Sequence, residues 1–211
     1  MSKAAIRIGL DFDNTLVTYD EVFLAAARKH GFVEAEFAGR KKAIRDRIRL
    51  LPNGESSWQK LQGYVYGSGI ADAAMYDGVD AFLRRCRREN VPVVIVSHKT
   101  EYGHFDPDRV NLREAAREWM AAHDFFCESG FGIRPDNVYF ETTRDEKLAR
   151  IAELGCTHFV DDLHEVLTDP KFPSGIERIL FTEEEIPENA AGCKVCPTWR
   201  HVEEQIFSDL K

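Results

Sequence analysis

The 211-residue sequence contains no apolar run that approaches the roughly 20 residues needed to span a membrane. No signal-peptide-like apolar segment precedes the first strand-like run, so we expect a cytoplasmic protein without a membrane partner. An excess of positive charge is also missing. The net charge of -8 argues against general nucleic-acid binding.

A disulfide framework is not indicated, because the five cysteines are odd in number and scattered in spacing. Cys193 and Cys196 form a CxxC pattern, which is one half of a zinc or redox site. No second CxxC and no HxxxH accompanies it. We therefore expect these two cysteines to be ordinary residues of a C-terminal loop or strand.

The composition that remains is that of a globular protein, with 44% hydrophobic and 30% charged residues. Short apolar runs alternate with helical patterns, which predicts an α/β fold with a Rossmann-like parallel sheet. The predicted strands are Ile6–Leu10, Val91–Val96, Val138–Phe140, Thr157–Val160 and Glu177–Phe181. The predicted helices are Gly78–Asn90, Asp106–His123, Thr143–Leu154 and Val202–Leu210. Asp106 is the expected N-cap of the second helix, before Pro107 at its first position. Thr143 and Glu146 fit a capping box for the third helix, and Gly155 fits its stop.

One block departs from this alternation. The segments EVFLAAARKHG, EFAGRKKAIRDRIRLL and SSWQKLQGYVYG read as three helices, with no convincing strand between them. We predict that residues 18–76 form an all-helical domain inserted after the first strand, and that residues 1–17 and 77–211 form the α/β core. Both ends of the insertion return to the same sheet, so it could move as a lid.

Polar residues follow several of the predicted strands. The first strand leads into Asp11-Phe12-Asp13-Asn14-Thr15, the second into Ser97-His98-Lys99, and the fourth into Asp161-Asp162. Lys147 lies in the helix before the fourth strand. Because ligands bind at the carboxyl ends of strands in open parallel sheets, we expect these side chains to converge.

Four carboxylates in one place would repel each other strongly. Two unit charges ~4 Å apart interact by about 4 kcal/mol at an effective dielectric near 20. A Mg²⁺ ion, which prefers oxygen ligands, would balance the cluster, and Lys147 would offset more of the charge. A carboxylate held between Mg²⁺ and a lysine can attack phosphorus and form an aspartyl-phosphate. Asp13 could then protonate the leaving oxygen and activate water.

The same residues resemble the motifs of the haloacid dehalogenase-like (HAD) superfamily. DFDNT matches the first motif, DxDx[TV], and Ser97 in VVIVSHK matches the second, a Ser or Thr after a buried strand. Lys147 in RDEKLAR matches the third, and FVDD matches the acidic pair of the fourth. All four occur in the expected order, which is much more specific than any one of them.

The resemblance implies a role for each acidic residue. Asp11 would be the nucleophile and a Mg²⁺ ligand, and Asp13 the general acid and base, with its backbone carbonyl on the metal. Asp161 and Asp162 would complete the metal site, in an order that the sequence leaves open. Many members of the family have a more distant second acid, as in GDxxxD, whereas here the pair is adjacent. Dehalogenases of the family lack the second aspartate of DxD, so Asp13 favours phosphoryl chemistry.

The resemblance also implies phosphate-binding residues. Ser97 and Lys147 would hold the oxygens of the transferring phosphoryl group, and Thr15 would support the motif loop. His98 and Lys99 could contact the substrate or be surface-loop residues. Proteins of this family place a substrate-enclosing cap where this chain has its helical insertion.

We therefore expect a Mg²⁺-dependent phosphatase that acts on a small phosphorylated metabolite through an aspartyl-phosphate. Two alternatives stay open. The protein could pass the phosphoryl group to a second metabolite, as a phosphotransferase or mutase does. It could also be a phosphate-binding regulatory module without turnover. The sequence identifies neither the substrate nor the oligomeric state.

Overall fold

The structure is a computed structural model that describes residues 6–103, 109–183 and 192–208. The chain divides into two compact units. The first comprises the described residues of Met1–Val17, Met75–Lys99 and Asp124–Lys211, and the second those of Thr18–Ala74 and Thr100–His123. The chain thus passes between the units four times.

The strands are numbered along the chain. They are β1 (Ile8–Leu10), β2 (Val17–Thr18), β3 (Ala74–Met75), β4 (Val93–His98), β5 (Val138–Glu141), β6 (His158–Asp161), β7 (Glu177–Phe181) and β8 (Lys194–Cys196). Six of them form one sheet in the order β5-β4-β1-β6-β7-β8, with every neighbouring pair parallel. The predicted α/β class with a parallel Rossmann-like sheet is confirmed. Strands β2 and β3 form a separate two-stranded sheet.

The helices are numbered in the same way. They are α1 (Asp20–Lys29), α2 (Lys41–Arg49), α3 (Gly54–Tyr66), α4 (Val79–Arg88), α5 (Leu112–Ala122), α6 (Arg144–Glu153), α7 (His164–Leu167) and α8 (Trp199–Ser208). Two short 3-10 helices, Ser68–Asp72 and Pro135–Asn137, accompany them. No helix in the described ranges has both the length and the apolar character needed to cross a bilayer.

Strand β1 lies at the centre of the large sheet, between β4 and β6. Leu10 pairs with Ile95 on one side and with Val160 on the other. All three side chains are fully buried, as expected for a strand covered on both faces. The residues that follow β1 therefore emerge in the middle of the sheet, where parallel α/β folds bind ligands.

Helix α6 begins with the predicted capping box. The Thr143 hydroxyl accepts a hydrogen bond from the Glu146 amide, and the Glu146 carboxylate accepts one from the Thr143 amide. The helix stops before Gly155, which has a φ of +63°. These local interactions fix the first turn of the helix, in which Lys147 lies.

The predicted start of the helix before His123 is wrong. The expected cap, Asp106, lies outside the described residues, and α5 begins only at Leu112. Arg109 has a φ of +49°, which a helix does not admit. The Asn111 side chain accepts hydrogen bonds from the amides of the second and third residues after it and so caps α5.

The second unit contains α1, α2 and α3 together with Thr100–His123. The sequence prediction placed this segment in the core. Helix α5 joins the helical unit because the buried Trp119 donates a hydrogen bond from its indole nitrogen to the carbonyl of Ala73, at 2.9 Å. An amphipathic pattern predicts that α5 has an apolar face, but not which unit that face contacts.

Candidate active site

Asp11 lies directly after β1, at the carboxyl end of the sheet. Its amide donates a hydrogen bond to the carbonyl of Val160, at 2.9 Å, so the pairing with β6 continues past the end of β1. This register places Asp11 next to Asp161, the last residue of β6. Asp11 is 5% exposed and Asp161 is fully buried.

Lys147 connects these two aspartates. Its ammonium nitrogen lies 2.6 Å from Oδ1 of Asp11 and 2.7 Å from Oδ2 of Asp161. The lysine is 2% exposed, and its ammonium lies 5.5 Å from the centre of the Phe159 ring. A buried ammonium that contacts two buried carboxylates forms a strong, charge-assisted network.

Burial and charge both change the acidity of this network. Burial of its carboxyl group raises the pKa of Asp11 to about 6, although attraction to Lys147 opposes the shift and repulsion from Asp161 adds to it. Burial acts to lower the pKa of Lys147. The two carboxylates outweigh that effect, and the pKa of Lys147 lies above its ordinary value.

The donor set fits a divalent metal ion. Asp11, Asp161 and Asp162 each offer a carboxylate oxygen, and these oxygens lie within 4.8 Å of one another. With Asp13, this group has four carboxylates and the two ammonium groups of Lys147 and Lys99, which leaves two negative charges when all are ionised. One Mg²⁺ ion would balance them, and a set of oxygen donors is what Mg²⁺ prefers.

Asp161, the first member of the acidic pair, accepts hydrogen bonds on both carboxylate oxygens. Its Oδ2 accepts from Lys147, and its Oδ1 accepts from the amide of Leu163, at 2.9 Å. Asp162 is half-buried and also has interactions of its own. Asp161 therefore has a fixed orientation between the lysine and the turn that follows β6.

Asp13 contacts a second lysine. The ammonium of Lys99 lies 2.7 Å and 3.0 Å from its two carboxylate oxygens, and 97% of the Lys99 side chain is buried. The sequence suggested a substrate contact or a surface position for Lys99, and did not suggest a partner in the DxD motif. The spacing could have pointed to one, because Lys99 follows Ser97 by two residues and alternate residues of a strand share a face.

Ser97, His98 and Thr15 differ in their surroundings. Ser97 belongs to β4 and is 1% exposed, two residues beyond the partner of Leu10. His98 is exposed, and its Nε2 lies 2.8 Å from the carbonyl oxygen of Thr142.

Thr15 is fully buried, and its hydroxyl has no hydrogen-bond partner in the described part of the chain. Its carbonyl accepts from the Trp199 indole, so Thr15 supports the loop through its backbone.

The comparison with solved structures finds the same fold, a parallel α/β core, in haloacid dehalogenase-like (HAD) proteins. A haloacid dehalogenase-like hydrolase from Streptococcus pneumoniae matches with a TM-score of 0.62 and 12% identity, over 98% of this chain and 99% of that one. A predicted phosphatase from Clostridium acetobutylicum matches equally well, over 98% and 100% of the two chains.

A third neighbour is a haloacid dehalogenase-like protein from Agrobacterium tumefaciens. It has a TM-score of 0.58 and 17% identity, over 99% of this chain and 100% of that one. No protein-family model and no curated protein matches the sequence. At these identities the likeness shows the HAD-like fold of this chain, and its function has to be argued from the site.

Proposed function

We propose that the protein is a Mg²⁺-dependent phosphomonoesterase in which Asp11 is the nucleophile. The main support is the position of Lys147, whose ammonium bridges Asp11 and Asp161 beside Asp162. The HAD-like fold adds support, since solved proteins of this fold include a predicted phosphatase from Clostridium acetobutylicum and a predicted phosphoglycolate phosphatase from Haemophilus somnus.

In the first step, a carboxylate oxygen of Asp11 attacks the phosphorus of the ester. The bond from phosphorus to the ester oxygen breaks, and Asp13 gives its proton to the oxygen that leaves as an alcohol. Lys147 holds Asp11 in position and offsets charge on the phosphoryl oxygens, and the Ser97 hydroxyl donates a hydrogen bond to one of them. The product of this step is an aspartyl-phosphate on Asp11.

In the second step, water attacks the phosphorus of the aspartyl-phosphate. Asp13, now a carboxylate, takes a proton from that water. The bond from phosphorus to the Asp11 oxygen breaks, which releases inorganic phosphate and restores both aspartates. The same two side chains thus serve both steps: Asp11 is first the nucleophile and then the leaving group, and Asp13 is first the acid and then the base.

Asp11 and the acidic pair Asp161 and Asp162 are the residues that would hold Mg²⁺, together with the backbone carbonyl of Asp13. When bound there, the ion would neutralise negative charge on the phosphoryl group and on its carboxylate ligands.

We expect the substrate to be a small phosphorylated metabolite. The same aspartate could pass the phosphoryl group to another metabolite instead of water. Measuring released phosphate against newly phosphorylated product, over a panel of acceptors, separates hydrolysis from transfer.

The test of the proposed function is a phosphatase assay over a panel of phosphate monoesters with MgCl₂. We expect hydrolysis of at least one ester, loss of activity with EDTA, and a loss of more than about 1,000-fold in kcat for Asp11→Asn. Asp136→Asn is the matched control, because the Asp136 side chain is 83% exposed and pairs only at the surface with Arg134. Full activity of Asp11→Asn would contradict the proposal, and so would a protein that hydrolyses no ester with Mg²⁺.

A further inference from the structure

Lys99 is a buried lysine beside the second aspartate of the DxD motif. Only 3% of its side chain is exposed, against 20% for Asp13. Its ammonium donates to both oxygens of that aspartate, at 2.7 Å and 3.0 Å. Burying an ammonium group is costly unless a counter-charge lies close to it, and Asp13 supplies such a counter-charge for Lys99.

The strand before Lys99 determines where its side chain points. The Lys99 amide donates to the carbonyl of Glu141, at 3.0 Å, so the pairing of β4 with β5 continues one residue beyond β4. Alternate residues of extended backbone share a face. Ser97 and Lys99 are accordingly both buried, whereas His98 between them is exposed and contacts Thr142.

The two buried lysines serve different aspartates. Lys147 contacts Asp11 and Asp161, whereas Lys99 contacts Asp13. The terminal torsion of an aspartate is broad and is set weakly by its own rotamer preference. The Lys99 ammonium lies close to both oxygens and so holds the end of the Asp13 side chain in one place, which determines where Asp13 presents its carboxyl group.

We propose that Lys99 is a positioning residue for Asp13: it orients the carboxyl group that exchanges a proton with the leaving oxygen, and it does not bind the phosphoryl group. This inference rests on the proposed hydrolysis of phosphate monoesters. It replaces the substrate contact that the sequence suggested for Lys99 with an action through Asp13.

The leaving group separates this role from a general structural one. A nitrophenolate leaves with little help from a proton, whereas the alkoxide of an alkyl phosphate needs one. With Lys99→Met we expect kcat/KM for an alkyl phosphate to fall about 100-fold, and kcat/KM for p-nitrophenyl phosphate to fall less than about 10-fold, because kcat/KM reports the first step, in which the leaving group departs. KM should not rise for either substrate, because the phosphoryl contacts remain. Lys99→Arg, which keeps a cationic donor, should recover part of the activity.

A double-mutant cycle shows whether Lys99 acts through Asp13. If it does, Lys99→Met should change kcat by less than about twofold once Asp13 is already Asn. Lys171→Met is the matched control. The Lys171 ammonium also pairs with an aspartate, Asp145 at 2.6 Å, but its side chain is 66% exposed. The Lys171→Met variant should therefore hydrolyse both substrates as fast as the wild type does. Thermal melts of all variants establish that each one is folded.

Three results would overturn the role of Lys99 in an active enzyme: an equal loss of kcat/KM with both leaving groups, a rise in KM with kcat retained, or a full effect of Lys99→Met in the Asp13→Asn background. If Lys99→Met is unstable, Lys99→Arg measured alone and in the Asp13→Asn background gives the same comparison. A wild-type protein that hydrolyses neither ester would instead overturn the proposed function, and the inference with it.

Discussion

At the scale of single residues, the two aspartates of the DxD motif differ in their partners. Asp11 is buried and contacts Lys147, and Asp13 is partly exposed and contacts Lys99. Phe12 between them is fully buried and packs edge-on against Phe140. Two like charges at the end of a buried strand are therefore tolerated because each contacts a different ammonium group, and the intervening ring faces the core.

The raised pKa of Asp11 links metal binding to pH. In the metal-free protein this carboxyl group has a pKa of about 6, against 3.8 for an ordinary aspartate, because it is buried. Because this pKa is higher than that of an ordinary aspartate, protonation of Asp11 contributes to the stability of the fold in full below pH 3.8. That contribution is lost as the pH rises through about 6. A metal ion needs the carboxylate form and has to compete with the proton.

We predict that Mg²⁺ affinity is nearly constant between pH 7 and 8 and falls about tenfold as the pH drops from 7 to 5. Isothermal titration calorimetry of MgCl₂ into the wild-type protein measures this dependence. In Asp11→Asn the affinity should be weaker at every pH, and the decrease below pH 6 should be absent. An affinity of the wild type that does not change between pH 5 and 8 would contradict the link.

At the scale of elements, the position of Lys147 depends on three neighbouring pieces of secondary structure. The capping box fixes the first turn of α6, strand β1 presents Asp11, and strand β6 presents Asp161. Gly9 at the centre of β1 adds a further condition. A Cβ atom there would lie 2.5 Å from Cδ2 of Phe159, the ring that faces the Lys147 ammonium.

We predict that Gly9→Ala lowers the free energy of unfolding by about 1–3 kcal/mol, because the added methyl group overpacks the space against Phe159. Urea denaturation measures the change. Phe159→Val makes room for the methyl group, so Gly9→Ala should cost less in that background than in the wild type. A Gly9→Ala protein as stable as the wild type would contradict this prediction, because the methyl group would then fit without overpacking.

Sequence patterns predicted the longer elements well, and physical reasons explain the misses. The strands that build the site are runs of apolar residues, and the α6 cap is a local pattern, so both are readable. Strands β2 and β3 have two residues each, and α7 has four. Elements this short do not show a periodic pattern of apolar residues in the sequence. The start of α5 was misread because Asp106-Pro107 resembles a helix start, whereas Asn111 is the cap.

At the scale of the whole molecule, the sheet brings together residues that are far apart in the sequence. Strand order places Asp11, Ser97 and Asp161 at one end of three adjacent strands, β1, β4 and β6. That convergence was predictable, since parallel strands end on the same side. The pairing of Lys99 with Asp13 and the membership of Thr100–His123 in the helical unit were not predicted, because both depend on tertiary contacts.

The central claim is that phosphoryl transfer passes through Asp11, and trapping the phosphorylated enzyme tests it most directly. The wild-type protein is mixed with a radiolabelled phosphate ester and Mg²⁺, quenched in acid within one turnover, and digested for peptide mapping. We predict label on the peptide that contains Asp11, released by base as expected for an acyl phosphate, and no label on Asp11→Asn. Label on another residue, or rapid hydrolysis of the ester with no label on the protein at any time, would contradict the account.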